Sequence, residues 1–283
     1  MLSGEGSARR REEALRPRLA GDLWTYVTGS LLIVAAGVAW AALLRQASTM
    51  PAMPASPDVG GGAMPEAGGT LGQAAAYLSA WGVMMAAMML PSATPLILLY
   101  GAVHRGMETR GQRGIPAALF ALTYLVVWVL FGVPVYAASR LVDELAAANP
   151  AVAGMLPYAV GGLLAAAGVY QLTPLKRACL RACQSPLGFL LGRWRDGYLG
   201  TLRLALQHSA YCVGCCWALM AVLVAAGAMS LPWVLVVAVL VFAEKVLPGG
   251  GWAARIAGAA LIGLGVVVIL QPDLAMLIRG QAM

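Results

Sequence analysis

The sequence predicts an all-α protein, a polytopic transmembrane helix bundle of about seven spans with its N-terminus in the cytoplasm. Composition is the first reason. Of 283 residues, 60% are hydrophobic and 11% charged, and the mean hydropathy is +0.78. A soluble domain carries roughly 25% charged residues, because its surface must be covered with polar groups. The second reason is a series of apolar runs near the ~20 residues needed to cross a hydrocarbon core. The third is where the basic residues fall between those runs.

The runs cover 23–44, 75–103, 115–139, 152–173, 203–229, 231–247 and 253–272. A basic segment, 1–22, precedes the first and contains Arg9, Arg10, Arg11, Arg16 and Arg18. The apolar run after it is too long for a signal-peptide core, so 23–44 is expected to be an uncleaved anchor. Segment 45–74 is rich in Pro and Gly and includes Met50, Met53 and Met64, the composition of a flexible outer linker. The bundle proper is expected over 75–273, with a short tail at 274–283. Segment 174–203 has room for an amphipathic helix at the membrane surface.

Letting each run cross once places only Arg45, Arg140 and Arg279 of the 19 basic residues outside. Positive loops resist translocation, so this alternation supports a cytoplasmic N-terminus and a bacterial inner-membrane location. The net charge of +7 is then loop charge that sets orientation, and nucleic acid is not an expected partner. Five cysteines confined to one part of the chain argue against an extracellular disulfide framework.

Chemistry concentrates in His208-Ser209-Ala210-Tyr211-Cys212-Val213-Gly214-Cys215-Cys216-Trp217. At 100° per residue, His208, Cys212, Cys215 and Cys216 share one helix stripe. Cys212 has the i, i+3 or i, i+4 spacing with Cys215 or Cys216 that lets two side chains reach one ion. His208 lies about 12 Å from Cys216 along the axis, so both cannot bind one ion on a straight helix. Buried packing is the bland alternative for cysteine. Cys179 and Cys183 form a second i, i+4 pair beside Lys176, Arg177 and Arg181, cations expected to favour thiolate. Anchoring of these cations to anionic lipid is compatible with that reading. In the second span, Met84 pairs with Met88 and Met85 with Met89 at i, i+4. Thioether sulfur suits Cu(I) without a buried charge, whereas packing is the plainer use of methionine. Pro91 and Pro95 should kink that helix. Glu244 and Lys245 are expected to form a local ion pair or to snorkel, and His104 to sit at the interface.

The motifs Trp81…Met84-Met85-Ala86-Ala87-Met88-Met89-Leu90-Pro91, Gln171-Leu172-Thr173-Pro174-Leu175-Lys176…Cys179…Cys183 and Cys212-Val213-Gly214-Cys215-Cys216-Trp217, with Glu244-Lys245, resemble a bacterial family. Its members are described as predicted metal-binding integral membrane proteins, a domain of unknown function. The resemblance covers about residues 75–275 and implies a several-helix bundle with metal handling.

Soft donors favour Cu(I) over hard cations, and zinc is less favoured because no compact set of Cys and His ligands occurs locally. The expected function is Cu(I) transport or copper delivery to a membrane enzyme. The expected metal residues are Cys212, Cys215, Cys216, Cys179, Cys183, His208, Met84, Met85, Met88 and Met89. Expected partners are membrane lipid, a copper-accepting protein or membrane enzyme, and further copies of the chain. A transmembrane thiol–disulfide relay and a structural subunit of a larger complex are the rivals. No Walker loop, dinucleotide fingerprint or nucleophile elbow is present, so transport driven by the chain's own ATP hydrolysis is set aside.

Overall fold

A computed structural model describes residues 4–49, 70–107, 115–195, 197–226 and 230–278. The described residues form ten helices and no strand: α1 Gly4–Thr49, α2 Thr70–Met107, α3 Ile115–Ala148, α4 Pro150–Leu172, α5 Pro174–Gln184, α6 Pro186–Arg193, α7 Gly197–Ala225, α8 Leu231–Val246, α9 Gly250–Leu270 and α10 Asp273–Ile278. Six of them, α1, α2, α3, α4, α7 and α9, are long and apolar enough to cross a membrane. The expected linker methionines Met50, Met53 and Met64 lie outside the described residues, as does the tail from 279.

Two helices differ in length from the apolar runs that mark them. The basic segment and the anchor form a single helix, α1, with no break between them. The sixth expected span, 231–247, becomes the 16-residue α8. At 1.5 Å per residue it is about 24 Å long, short of a ~30 Å hydrocarbon core. Pro232 fits its first turn, and Pro248 with Gly249 (φ 90°) stops it. Its last turn carries Glu244 and Lys245, which are buried against α5 and α7.

Proline also divides the inner segment. Thr173 precedes Pro174 in an extended conformation that ends α4 (φ -68°, ψ 152°), and its hydroxyl then caps α5 by accepting from the Lys176 amide at 3.3 Å. The single surface helix expected here is thus two helices, α5 and α6.

The bundle is held by apolar faces turned inward and by backbone groups reclaimed from lipid. Leu32, Ala36, Ala39 and Leu43 recur at helical spacing on α1 and are buried where it lies along α2. Pro91 leaves the Ala87 carbonyl without its helical donor, and Trp40 Nε1 of α1 supplies one at 3.1 Å. Leu122, Val126 and Leu130 on α3 and Trp252, Ile256 and Leu270 on α9 face outward, an apolar surface suited to lipid.

The closest packing joins α4 to α9. A Cβ on Gly168 would lie 2.6 Å from the Gly258 carbonyl oxygen, and one on Gly265 would lie 2.6 Å from that of Gly161. In an apolar solvent such backbone proximity replaces the missing hydrophobic drive for association. Gly168→Ala should therefore lower thermal stability, by about 1–3 kcal/mol for an overpacked site. Gly162→Ala, with nothing within 4 Å, should leave it level or raise it. Melting curves in detergent check the pair, and equal behaviour of the two variants would contradict the packing.

Candidate metal centre

The site is assembled from α2, α3, α5, α7 and α8. On α7, Cys212, Cys215 and Cys216 are all buried, and the five cysteines are free thiols. Cys215 Sγ lies 3.3 Å from Cys216 Sγ and 3.2 Å from the Cys212 carbonyl oxygen. The second cysteine group meets the first: Cys183 Sγ of α5 is 3.9 Å from Cys215 Sγ. Two sulfurs bound to one ion at about 2.3 Å can be at most ~4.6 Å apart, so both sulfur pairs fall within one ion's reach.

What seats α5 against α7 is a glycine. A Cβ on Gly214 would lie 3.0 Å from Cys179 Sγ, and Tyr170 donates to the Gly214 carbonyl at 2.5 Å. Cys179 Sγ thus lies against α7, and no hydrogen bond joins it to the other thiols among the described residues.

A buried ion pair locks the other face of α5. Lys176, fully buried, donates to Glu244 Oε2 at 2.7 Å and to Gln171 Oε1. Gln171 Nε2 donates in turn to Glu244 Oε1 at 3.1 Å, and Gln184 Nε2 to the Glu244 carbonyl at 2.7 Å. Every charge in this triangle is answered, which buried ions require. It corrects the expectation that Lys176 anchors a surface segment and that Glu244 pairs locally.

It also corrects the expectation of low-pKa thiols on α5. Burial raises the Cys179 thiol, and Cys183 is pushed up chiefly by its hydrogen bond with Cys212. Lys176 is neutralised by Glu244, while Arg177 and Arg181 point to the exposed side.

Lys245 faces the thiols. Its ammonium is 3.0 Å from Cys212 Sγ and 3.7 Å from Met89 Sδ, and the Tyr124 hydroxyl is 3.0 Å from the same Cys212 sulfur. Met89 thus reaches the cluster, whereas Met84, Met85 and Met88 are buried in the surrounding core. His208 stands apart, its ring among Phe120, Tyr124 and Phe189 at 5.5–5.9 Å. Its buried Nδ1 has no hydrogen-bond partner among the described residues. With Cys183, Lys245, Tyr124 and Gln184 it lines a cavity of about 120 Å³. His104, the last residue of the second span, is buried against Tyr100 and Trp194.

Sequence reasoning missed Tyr124, and it had Gln171 and Lys245 only as parts of the family motif, without a role in the site. The available signal was an acid and a base closing the apolar run of α8, beyond what a snorkelling pair needs.

Among the described residues, no three His, Cys, Asp or Glu side chains converge as a ready-made metal site. The donors that do approach one another are sulfurs, in pairs, with no carboxylate against them. That fits a soft d¹⁰ ion content with few ligands better than tetrahedral zinc.

Fold and site define a multi-pass helical membrane protein with a buried cluster of soft sulfur donors. Residues 78–268 match the family PpoB2, described as a copper chaperone, and the chain belongs to that family. No curated protein and no solved structure matches. The chain accordingly handles copper.

Removing one member of the Lys176–Glu244 pair leaves a buried charge unanswered, at a cost of about 3–5 kcal/mol. Lys176→Met and Glu244→Gln should each melt far below wild type, and the double variant should recover most of the loss. A double variant no better than the singles would contradict the coupling.

Proposed function

We propose that this protein is a membrane-embedded Cu(I) chaperone that holds its cargo between α5 and α7 and hands it to a copper-using membrane protein. The observation that carries the reading is the 3.9 Å approach of Cys183 to Cys215 from a separate helix. Donors fixed on one helix can only store an ion. A pair divided between a core helix and a short amphipathic one can open, and opening is what delivery requires. Cys183 and Cys215 are the assigned thiolate pair, with Cys212 and Cys216 able to exchange into it and the Met89 thioether beside them. Thiol protons leave to water as Cu(I) binds, and no electron moves.

The 120 Å³ cavity brings His208 and Cys183 to a common space and supplies an approach to the cluster. His208 is assigned to this approach, not to the thiolate pair. Met84, Met85 and Met88 are assigned to the thioether wall of the core. With the N-terminus in the cytoplasm of a bacterial inner membrane, α5 and α6 lie on the cytoplasmic side, and exchange with the acceptor takes place there.

A thiol–disulfide relay is the second reading. It is favoured by one point: Cys183 and Cys215 come from different helices, so a bond of about 2.05 Å needs only a modest shift. The two readings separate on metal content. Wild type purified under reducing conditions with Cu(I) supplied should carry near-stoichiometric copper. Cys183→Ser should bind at least about tenfold more weakly, and Cys212→Ser/Cys215→Ser/Cys216→Ser should carry none. Mass spectrometric metal analysis checks this. Copper-free wild type that instead forms a reversible Cys183–Cys215 disulfide would favour the relay.

A further inference from the structure

Lys245 occupies an unusual position for a lysine. It is 7% exposed, on the last turn of α8, and its ammonium rests on Cys212 Sγ at 3.0 Å and Met89 Sδ at 3.7 Å. The adjacent Glu244 does not serve it: its carboxylate pairs instead with Lys176 and Gln171. Among the described residues, no carboxylate lies within ion-pair distance of Lys245. The triangle behind it is therefore closed, and the positive charge of Lys245 is aimed at the thiol cluster, with the Cys212 sulfur its nearest potential counter-charge. A charge held this deep in a membrane bundle is costly unless something answers it.

The cargo complex answers it. Cu(I) contributes one positive charge and two ligating thiolates contribute two negative ones, so the bis-thiolate complex carries one net negative charge. Left alone in an apolar core, that anion would be as costly as the lysine. Together they are neutral. We propose that Lys245 is the counter-charge of the loaded site, a residue that sets Cu(I) affinity without binding the ion. The inference rests on the Cu(I)–thiolate reading above and adds a specificity element to it. An ammonium has no lone pair and cannot ligate, so its contribution is charge alone. Zn²⁺ on the same two thiolates would give a neutral complex and leave the lysine unanswered. The fixed charge thus discriminates between a monovalent and a divalent ion at one pair of sulfurs.

The test uses the full-length protein in detergent. Its Cu(I) affinity is measured by competition with a coloured Cu(I) chelator, and Zn²⁺ affinity is measured alongside. Lys245→Gln and Lys245→Leu remove the charge without adding a sulfur donor. Each should weaken Cu(I) binding about 10- to 100-fold, the range for outer groups that tune a bound metal, and narrow the preference for Cu(I) over Zn²⁺. Lys245→Arg keeps the charge and should stay near wild type. Removing a buried charge should not unfold the bundle, and size-exclusion profiles of the Gln variant verify that. Unchanged or tighter Cu(I) binding in the Gln and Leu variants would overturn the proposal. So would an Arg variant as weak as they are, because charge would then not be the cause. A wild type that binds no Cu(I) is a separate outcome: it removes the Cu(I) reading itself.

Discussion

The site depends on the buried ion pair between Lys176 and Glu244. Without it α5 would have no polar reason to enter the bundle, because its sequence is basic and its Arg177 and Arg181 face outward. Lys176 reverses that preference at one position, pulling one face of the helix down onto the last turn of α8. Gly214 then lets the Cys179 turn lie flat on α7, and Cys183, one turn later, arrives beside Cys215. A salt bridge of this kind adds little net stability, since desolvation offsets much of the attraction. What it supplies is placement.

Both halves of the site answer the same constraint, that polar groups in an apolar medium must find partners inside the protein. Shortness of α8 brings Glu244 and Lys245 to the depth of the thiols. Pro91 in α2 frees the Ala87 carbonyl, which Trp40 reclaims, and Met89 is held in a helix that stays continuous. The α4–α9 glycine contacts set the wall from which Gln171 reaches the ion pair. The core helix offers rigid sulfurs, and the amphipathic one offers a sulfur that can leave.

Most of the fold was legible in the sequence because hydropathy reports directly on lipid exposure. Spans appear where apolar runs reach membrane length, and the cysteine stripe on α7 follows from helical period alone. The failures have physical causes. Glu244 and Lys245 read as an interfacial pair because adjacent residues on a helix point about 100° apart, so each finds a partner on a different neighbour. Lys176 read as a lipid anchor because nothing local says that Gln171 and Glu244 wait above it. Long-range polar pairing carries no periodic signal. The meeting of Cys183 with Cys215 is of the same kind: each pair was visible, and their junction was not.

The central claim is that copper sits on sulfur contributed by two helices. X-ray absorption at the copper edge of the Cu(I)-loaded protein tests it most directly. The account predicts a shell of sulfur neighbours alone, with Cys183→Ser losing copper or replacing a sulfur by a lighter atom. A wild-type shell built mainly of nitrogen or oxygen, or a sulfur shell unaltered by Cys183→Ser, would contradict it.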